Sequence, residues 1–247
     1  EISVGAITLS IDIASGWNWF SLNVEGDMSI GSVMGSLSST EGDFIKSQDA
    51  SSTYYASFGW YGGLETLGVT GMYKFDSANE DELVFSGAPV DPLSTPIDLA
   101  SGWNWLGFTP QNDGPTEDAL ASATTTAGDF IKNQGASSTY YGPDNGWYGG
   151  LDVMAPTEGY MLSVAEGSTL TYPNFGANDA LTREKSEKEL PVAVSDWEVD
   201  YHDYEFNGHI TMSIDSREDF YGDYVAAFVG DECRGVAERM YFPFGDS

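Results

Sequence analysis

Between residues 6 and 13 apolar and polar side chains alternate, which places Ile7, Leu9, Ile11 and Ile13 on one face of a strand. Ser15-Gly16 is a turn signal. Residues 17–24 read as the returning strand, with aromatic side chains suited to a half-buried pleat. The period then changes: Ile30, Val33, Met34 and Leu37 have helical spacing behind Ser29, a residue type that caps helices. Gly31 and Gly35 weaken that helix. Residues 44–48 and 52–56 are two further short strands, and the glycines of the 59–64 stretch suggest a bulge or a close backbone approach. Residues 72–75 and 82–85 are expected to form a hairpin across an acidic loop at 76–81.

This whole pattern is repeated. IDIASGWNWFSLNV from Ile11 returns as IDLASGWNWLGFTP from Ile97, GDFIKSQDASSTYY from Gly42 as GDFIKNQGASSTYY from Gly128, and GWYGGL from Gly59 whole from Gly146. A repeat of this period means a tandem array of one module. The second copy opens its short helix with Pro115 before Thr116, and closes with strands at 160–164 and 169–172. The expected fold class is therefore mainly β (β-rich α+β), with two tandem β modules at 1–90 and 91–176, each carrying one short helix.

Residues 177–190 gather charged side chains, Arg183, Glu184, Lys185, Glu187 and Lys188 among them, into a polar run that reads as a solvated linker. A third unit, 191–247, shows strands at 197–199, 208–214, 224–229 and 232–237, with Gly230-Asp231 as a two-residue hairpin turn. Its length is short for a closed β-sandwich of about 100 residues. It is expected to be an incomplete β-sandwich-like domain, cut short or completed by another chain.

The words GWNW, GDFIKxQ, GWYGGL and Glu158-Gly159-Tyr160-Met161-Leu162 resemble repeat modules of large secreted proteins of marine bacteria, Bacteroidetes-type sorted proteins among them, and of algal extracellular proteins. The segment 223–237 resembles another β module of the same secreted proteins. The resemblance implies an extracellular matrix, adhesion or appendage role, and it brings no catalytic residues. The first copy has Gly71-Met72-Tyr73-Lys74 where the second has the Pro156–Tyr160 loop, so a site needing that loop would exist once.

Charge narrows the partners. The chain carries 39 Asp plus Glu against 9 Lys plus Arg, a net of −30. Phosphate backbones and anionic membranes repel such a surface, so nucleic acid is excluded as a partner. Apolar runs are too short for a membrane span, the first residues show no basic stretch followed by an apolar one, and the opening at Glu1 reads as that of a mature protein or an excised fragment. Cys233 is the single cysteine, so no intrachain disulfide is expected.

For catalysis, a nucleophile–histidine device has only His202 and His209 to draw on, both outside the repeats. Asp43 and Asp129 recur, but a carboxylate opening a strand is more often a turn residue that accepts backbone N–H groups. No catalytic residue is assigned. The candidate ligand-binding residues are the duplicated aromatic pairs Tyr54, Tyr55, Trp60 and Tyr61 with Tyr140, Tyr141, Trp147 and Tyr148. Adjacent strand residues face opposite ways, so one of each pair can be displayed to stack on a sugar ring or a partner surface. Trp17, Trp19, Trp103 and Trp105 are expected in the module cores. Two acidic clusters, Asp76 with Glu80 and Asp81, and Asp215 with Asp219 and Asp223, offer oxygen ligands of the kind Ca²⁺ takes, without the spacing of an EF-hand. No other cofactor is expected. The expected job is non-catalytic: an extracellular or cell-surface protein that self-assembles, or binds other extracellular proteins, into a fibre, sheath or surface layer. The alternatives are a polysaccharide-binding module pair and an accessory region of a secreted enzyme.

Overall fold

A computed structural model describes residues 5–176, 197, 199–208, 210 and 224–238. The alternation at the start gives β1 (Ile7–Ile13), in which Leu9, Ile11 and Ile13 are buried while Ile7 stays exposed. Next come β2 (Gly16–Ser21), β3 (Val24–Glu25), helix α1 (Ile30–Val33), β4 (Phe44–Lys46), β5 (Ser51–Tyr55), β6 (Gly59–Gly62), β7 (Met72–Ser77) and β8 (Asp81–Pro89). The chain is mainly β, as its patterning requires. Helix α1 is one turn long and continues as a 3-10 turn. Ser29 precedes it without a side-chain cap, and its buried residues are Ile30 and Val33.

Neither expected hairpin of this repeat forms. β1 and β2 enter different sheets, and so do β7 and β8. β8 pairs antiparallel with β1 and β3, whereas β2, β7, β4, β5 and β6 make a five-stranded antiparallel sheet in that order. The chain therefore crosses between sheets at the Ala14-Ser15 corner and again at the 78–80 corner. Between the two sheets lies one core, built from Leu9, Ile11, Ile13, Leu83 and Phe85 on one side and Phe20, Ile45 and Phe75 on the other. Fully burying a side chain of this kind contributes about 1.5–3 kcal/mol.

The second repeat repeats the plan with β9 (Ile97–Leu99), β10 (Gly102–Gly107), β11 (Gly114–Pro115), α2 (Thr116–Ala119), β12 (Phe130–Lys132), β13 (Ser137–Tyr140), β14 (Trp147–Gly149), β15 (Val153–Met154), β16 (Gly159–Val164) and β17 (Ser168–Leu170). Its five-stranded sheet runs β10-β16-β12-β13-β14, the same order as in the first repeat. Again the last strand turns away, since β17 pairs with β9. A second core spans Ile97 to Tyr172.

The shared words now have structural meanings. In GWNW, Asn18 is buried and closes the corner: its Oδ1 accepts from Ala14 N at 2.9 Å and its Nδ2 donates to the carbonyls of Ala14 and Gly16. Asn104 does the same with Ala100 and Gly102. In GDFIK, the buried Asp43 accepts from Thr40 N and Ala78 N, and Asp129 from Thr126 N and Ala165 N. In GWYGGL, a Cβ on Gly62 would sit 2.2 Å from Ser51 O, and one on Gly149 equally close to Ser137 O. Glycine is required there by close approach.

Of the third unit, the described part includes one antiparallel hairpin, β18 (Tyr224–Val229) with β19 (Glu232–Glu238), turning at Gly230 with φ +63°. The expected strand at 197–199 is not one at Trp197 and Val199. The expected linker at 177–190 lies outside the described residues.

Candidate functional site

β2 and β10 are the edge strands of the two large sheets, and their outward N–H and C=O groups need partners. Each edge is satisfied by the other repeat. Gln48 crosses to the second repeat, accepting from Trp105 N at 2.8 Å and donating to Trp103 O at 3.1 Å. Gln134 crosses to the first, accepting from Trp19 N at 2.9 Å and donating to Trp17 O at 2.7 Å. A backbone pair repeats the exchange: Ser21 N donates to Thr157 O and Gly107 N to Thr70 O, both at 2.9 Å. The two repeats are thus joined about an approximate twofold, in which each contact has its counterpart.

This seam corrects the expected place of the tryptophans. Trp17, Trp19, Trp103 and Trp105 do share a strand face in each copy, but it is the face turned away from the module core. Asn18, Phe20 and Leu22 occupy the inward parity. Trp19, Met72 and Met161 form a separate buried cluster with Trp105 packed against it, while Trp103 remains 45% exposed.

Lysines gather on the same face. Lys46, Lys74 and Lys132 are the only Lys or Arg residues in the first 176 positions, and all three converge here. Lys74 Nζ lies 4.1 Å from the Trp19 ring centroid and 4.8 Å from that of Trp105. Lys46 Nζ approaches Trp17 and Trp105, and Lys132 Nζ approaches Trp19 and Trp103. Cations over indole faces gain more as they lose water. Lys74 is wholly buried, and that burial, reinforced by Lys46 and opposed by Glu205, pushes its pKa down to about 7. Burial also lowers that of Lys132.

A segment from the third unit covers the three cations. The Glu205 carboxylate pairs with Lys46, and Lys74 Nζ donates to Glu205 O at 3.1 Å. Lys132 Nζ donates to Asn207 O at 2.7 Å, and Asn207 Nδ2 returns to Gln134 O. The Phe206 ring sits 4.1 Å from Lys74 Nζ and 5.1 Å from Lys46 Nζ, its outer face in solvent. His202 Nδ1 contacts Trp17 O at 2.6 Å, and the His202 carbonyl presses on Gly16, where a Cβ would meet it at 2.3 Å. Tyr204 ties the same segment to the hairpin, donating to Glu232 and lying under Arg234.

The predicted aromatic residues lie elsewhere, on the β5–β6 and β13–β14 hairpins. In the first repeat Tyr54 and Trp60 meet edge-on at 5.4 Å, with Trp60 reaching the core; Tyr55 stacks on Phe58 at 4.9 Å, and Phe58 meets Tyr61. Phe58 and Tyr61 are 63% and 70% exposed. An open cleft of about 420 Å³ separates this hairpin from α1, floored by Gly31 and Gly35 and walled by Tyr54, Phe58 and Trp60. Tyr140 and Trp147 pack similarly in the second repeat, with Trp147 buried and Tyr141 and Tyr148 half-buried. There Asn145 replaces Phe58, and Glu117, at the place of Gly31, reaches across to accept from Trp147 N at 2.8 Å. In the second repeat the Glu117 side chain thus crosses the space that corresponds to the cleft.

Asp76, Glu80 and Asp81 are not gathered into a site. Asp81 accepts from Ser38 N and Glu82 N, and Asp76 has its pKa raised by burial and by Asp43 and Glu205. Among the described residues no three His, Cys, Asp or Glu side chains are placed to share a metal ion. Asp215, Asp219 and Asp223 lie outside the described residues. No described helix is long and apolar enough to cross a membrane. Compared with protein-family models, curated proteins and solved structures, the chain matches none.

Proposed function

We propose that this chain is a non-catalytic building block of an extracellular or cell-surface assembly, in which two β modules are locked into one rigid unit. The observation that carries this reading is the reciprocal exchange of Gln48 and Gln134 across the seam. The residues duplicated most faithfully serve corners, cores and this junction, which is the use a scaffold makes of a repeat. An approximate twofold contact closes on itself, so growth into a fibre or layer must use another surface. The resemblance of the repeat words to secreted modules, the acidity and the placement of third-unit residues on the seam support the same reading.

Sedimentation velocity and negative-stain microscopy over a wide concentration range, with and without Ca²⁺, test it. Concentration-dependent oligomers or filaments are expected. A monodisperse monomer under every condition overturns the assembly.

One observation favours a second reading, polysaccharide binding. The first repeat has a glycine-lined cleft beside the exposed Phe58 and Tyr61, the kind of apolar face on which a sugar ring stacks. A glycan array on the wild type and on Trp60→Ala decides it. Binding that survives Trp60→Ala unchanged removes the cleft as its site.

A further inference from the structure

The seam has the construction of a peptide-binding groove with its peptide in place. In a chain of net charge −30, every cation of the first 176 residues points at one short acidic and aromatic stretch, Tyr204-Glu205-Phe206-Asn207. Ion pairing reads Glu205, main-chain carbonyls of Glu205 and Asn207 receive Lys74 and Lys132, and the Phe206 ring faces two ammonium groups. Two rows of tryptophan supply the walls. Buried lysines without a counter-anion would be costly, so the groove strongly favours a filled state. Nothing in these contacts depends on which chain the segment comes from.

We propose that this groove also accepts residues 200–207 of a second copy of the chain, so that exchange of the segment links copies into the assembly. The proposal deepens the assembly reading and rests on it for the identity of the partner. Residues 177–199 separate the last described residue of the second repeat from the segment. An extended chain spans about 3.3–3.6 Å per residue, so that stretch allows a reach on the order of 70 Å, enough to serve a neighbouring groove. A segment that seats equally well in cis and in trans is the usual basis of domain swapping. Because each chain offers one segment and one groove, the exchange is heterologous and can propagate, unlike the closed contact between the two repeats.

Two full-length variants separate donor from acceptor. Glu205→Gln with Phe206→Ala spoils the segment and leaves the groove. Lys46→Gln with Lys74→Met spoils the groove and leaves the segment; methionine already occupies the place of Lys74 in the second repeat, at Met161. Each variant is first shown to be folded by its near-ultraviolet dichroism and its melting transition. Amine acetylation read by mass spectrometry is expected to show Lys132 protected in the wild type and unprotected in the segment variant. Mixing the two variants is expected to shift sedimentation and native mass from one chain to a one-to-one pair, with neither variant pairing alone. Folded variants that stay monomeric when mixed overturn the exchange. If the wild type and both single variants form the same oligomers regardless, assembly stands and runs through another surface. A wild type that never oligomerises while the mixed variants pair overturns the assembly reading and leaves the groove.

Discussion

Lys74 and Met161 hold the same register position in the two repeats, the first opposite Trp19 on β2 and the second opposite Trp105 on β10. The approximate symmetry of the seam breaks at this pair. Both side chains are buried, but only the lysine carries charge into the seam, and only it meets the covering segment. Next to them Met72 faces Gly159, where an added Cβ would come within 3.0 Å of Met72 Cβ. The two repeats fit because they differ at the points of closest approach.

Lys74→Met is expected to remove a pH dependence of stability. With a folded pKa of about 7 against an unfolded value near 10.4, the unfolded chain binds more protons between those limits. Stability then rises with pH from about 7 toward 10, and the cost of the buried charge is fully present below 7. Lys46, Lys132, Glu205 and Asp76 share the electrostatic surroundings, so the slope belongs mainly, not wholly, to Lys74. Calorimetry at several pH values should show the wild type gaining and the variant nearly flat, with the variant more stable by on the order of 1–2 kcal/mol at pH 6. A wild type whose stability falls from pH 7 to 9 contradicts the assignment.

Gln48→Ala and Gln134→Ala should each cost about 1–2 kcal/mol, since each deletes two hydrogen bonds to an edge strand, one of them from a backbone N–H. The double variant is expected to uncouple the repeats. Hydrogen exchange reads this directly: the amides of Trp19 and Trp105 lose protection while those of β7 and β16 keep theirs. Unchanged protection of both tryptophan amides would mean that the glutamines decorate a junction held by other contacts.

Asn18→Ala and Asn104→Ala should each destabilise by about 2–3 kcal/mol, because each asparagine satisfies one N–H and two carbonyls at its corner. Equal costs in the two copies are expected from equal geometry. Chemical denaturation of the two variants checks both size and equality; a cost under half a kcal/mol in either would show that water replaces the side chain.

Strands were legible in the sequence, but their partners were not. Period-two alternation located β1 through Leu9, Ile11 and Ile13, and spacing located the short helices. The expected 72–85 hairpin failed because pairing adjacent strands is only a default. In β7, Met72, Tyr73, Lys74 and Phe75 are all buried, which is the mark of a strand covered on both faces. The same ambiguity covers the tryptophans: β2 has aromatic residues on both parities, so alternation alone does not say that Phe20 faces the module core and Trp17 and Trp19 the seam. One unused signal was present. Lys46, Lys74 and Lys132 stand alone as cations in 176 residues, each on a strand, where an exposed role would have been served by any polar residue. The covering segment at 200–207 was illegible, because its partners on the seam, from Trp17 to Gln134, are distant in sequence and follow no local period.

Gly31→Glu should close the cleft of the first repeat by copying the second. Glu117 spans from α2 to Trp147 N, and the equivalent donor in the first repeat is Trp60 N. A Cβ on Gly31 meets nothing within 4 Å, so the substitution introduces no clash. Replacing a helical glycine also gains about 0.5–1 kcal/mol. The variant is therefore expected to melt higher than the wild type and to lose any glycan retained through Phe58 and Trp60. Affinity chromatography on immobilised polysaccharides measures the second effect beside the melting curve. Higher stability with undiminished glycan retention would locate sugar binding outside the cleft, on the exposed Tyr61 face or on the third unit.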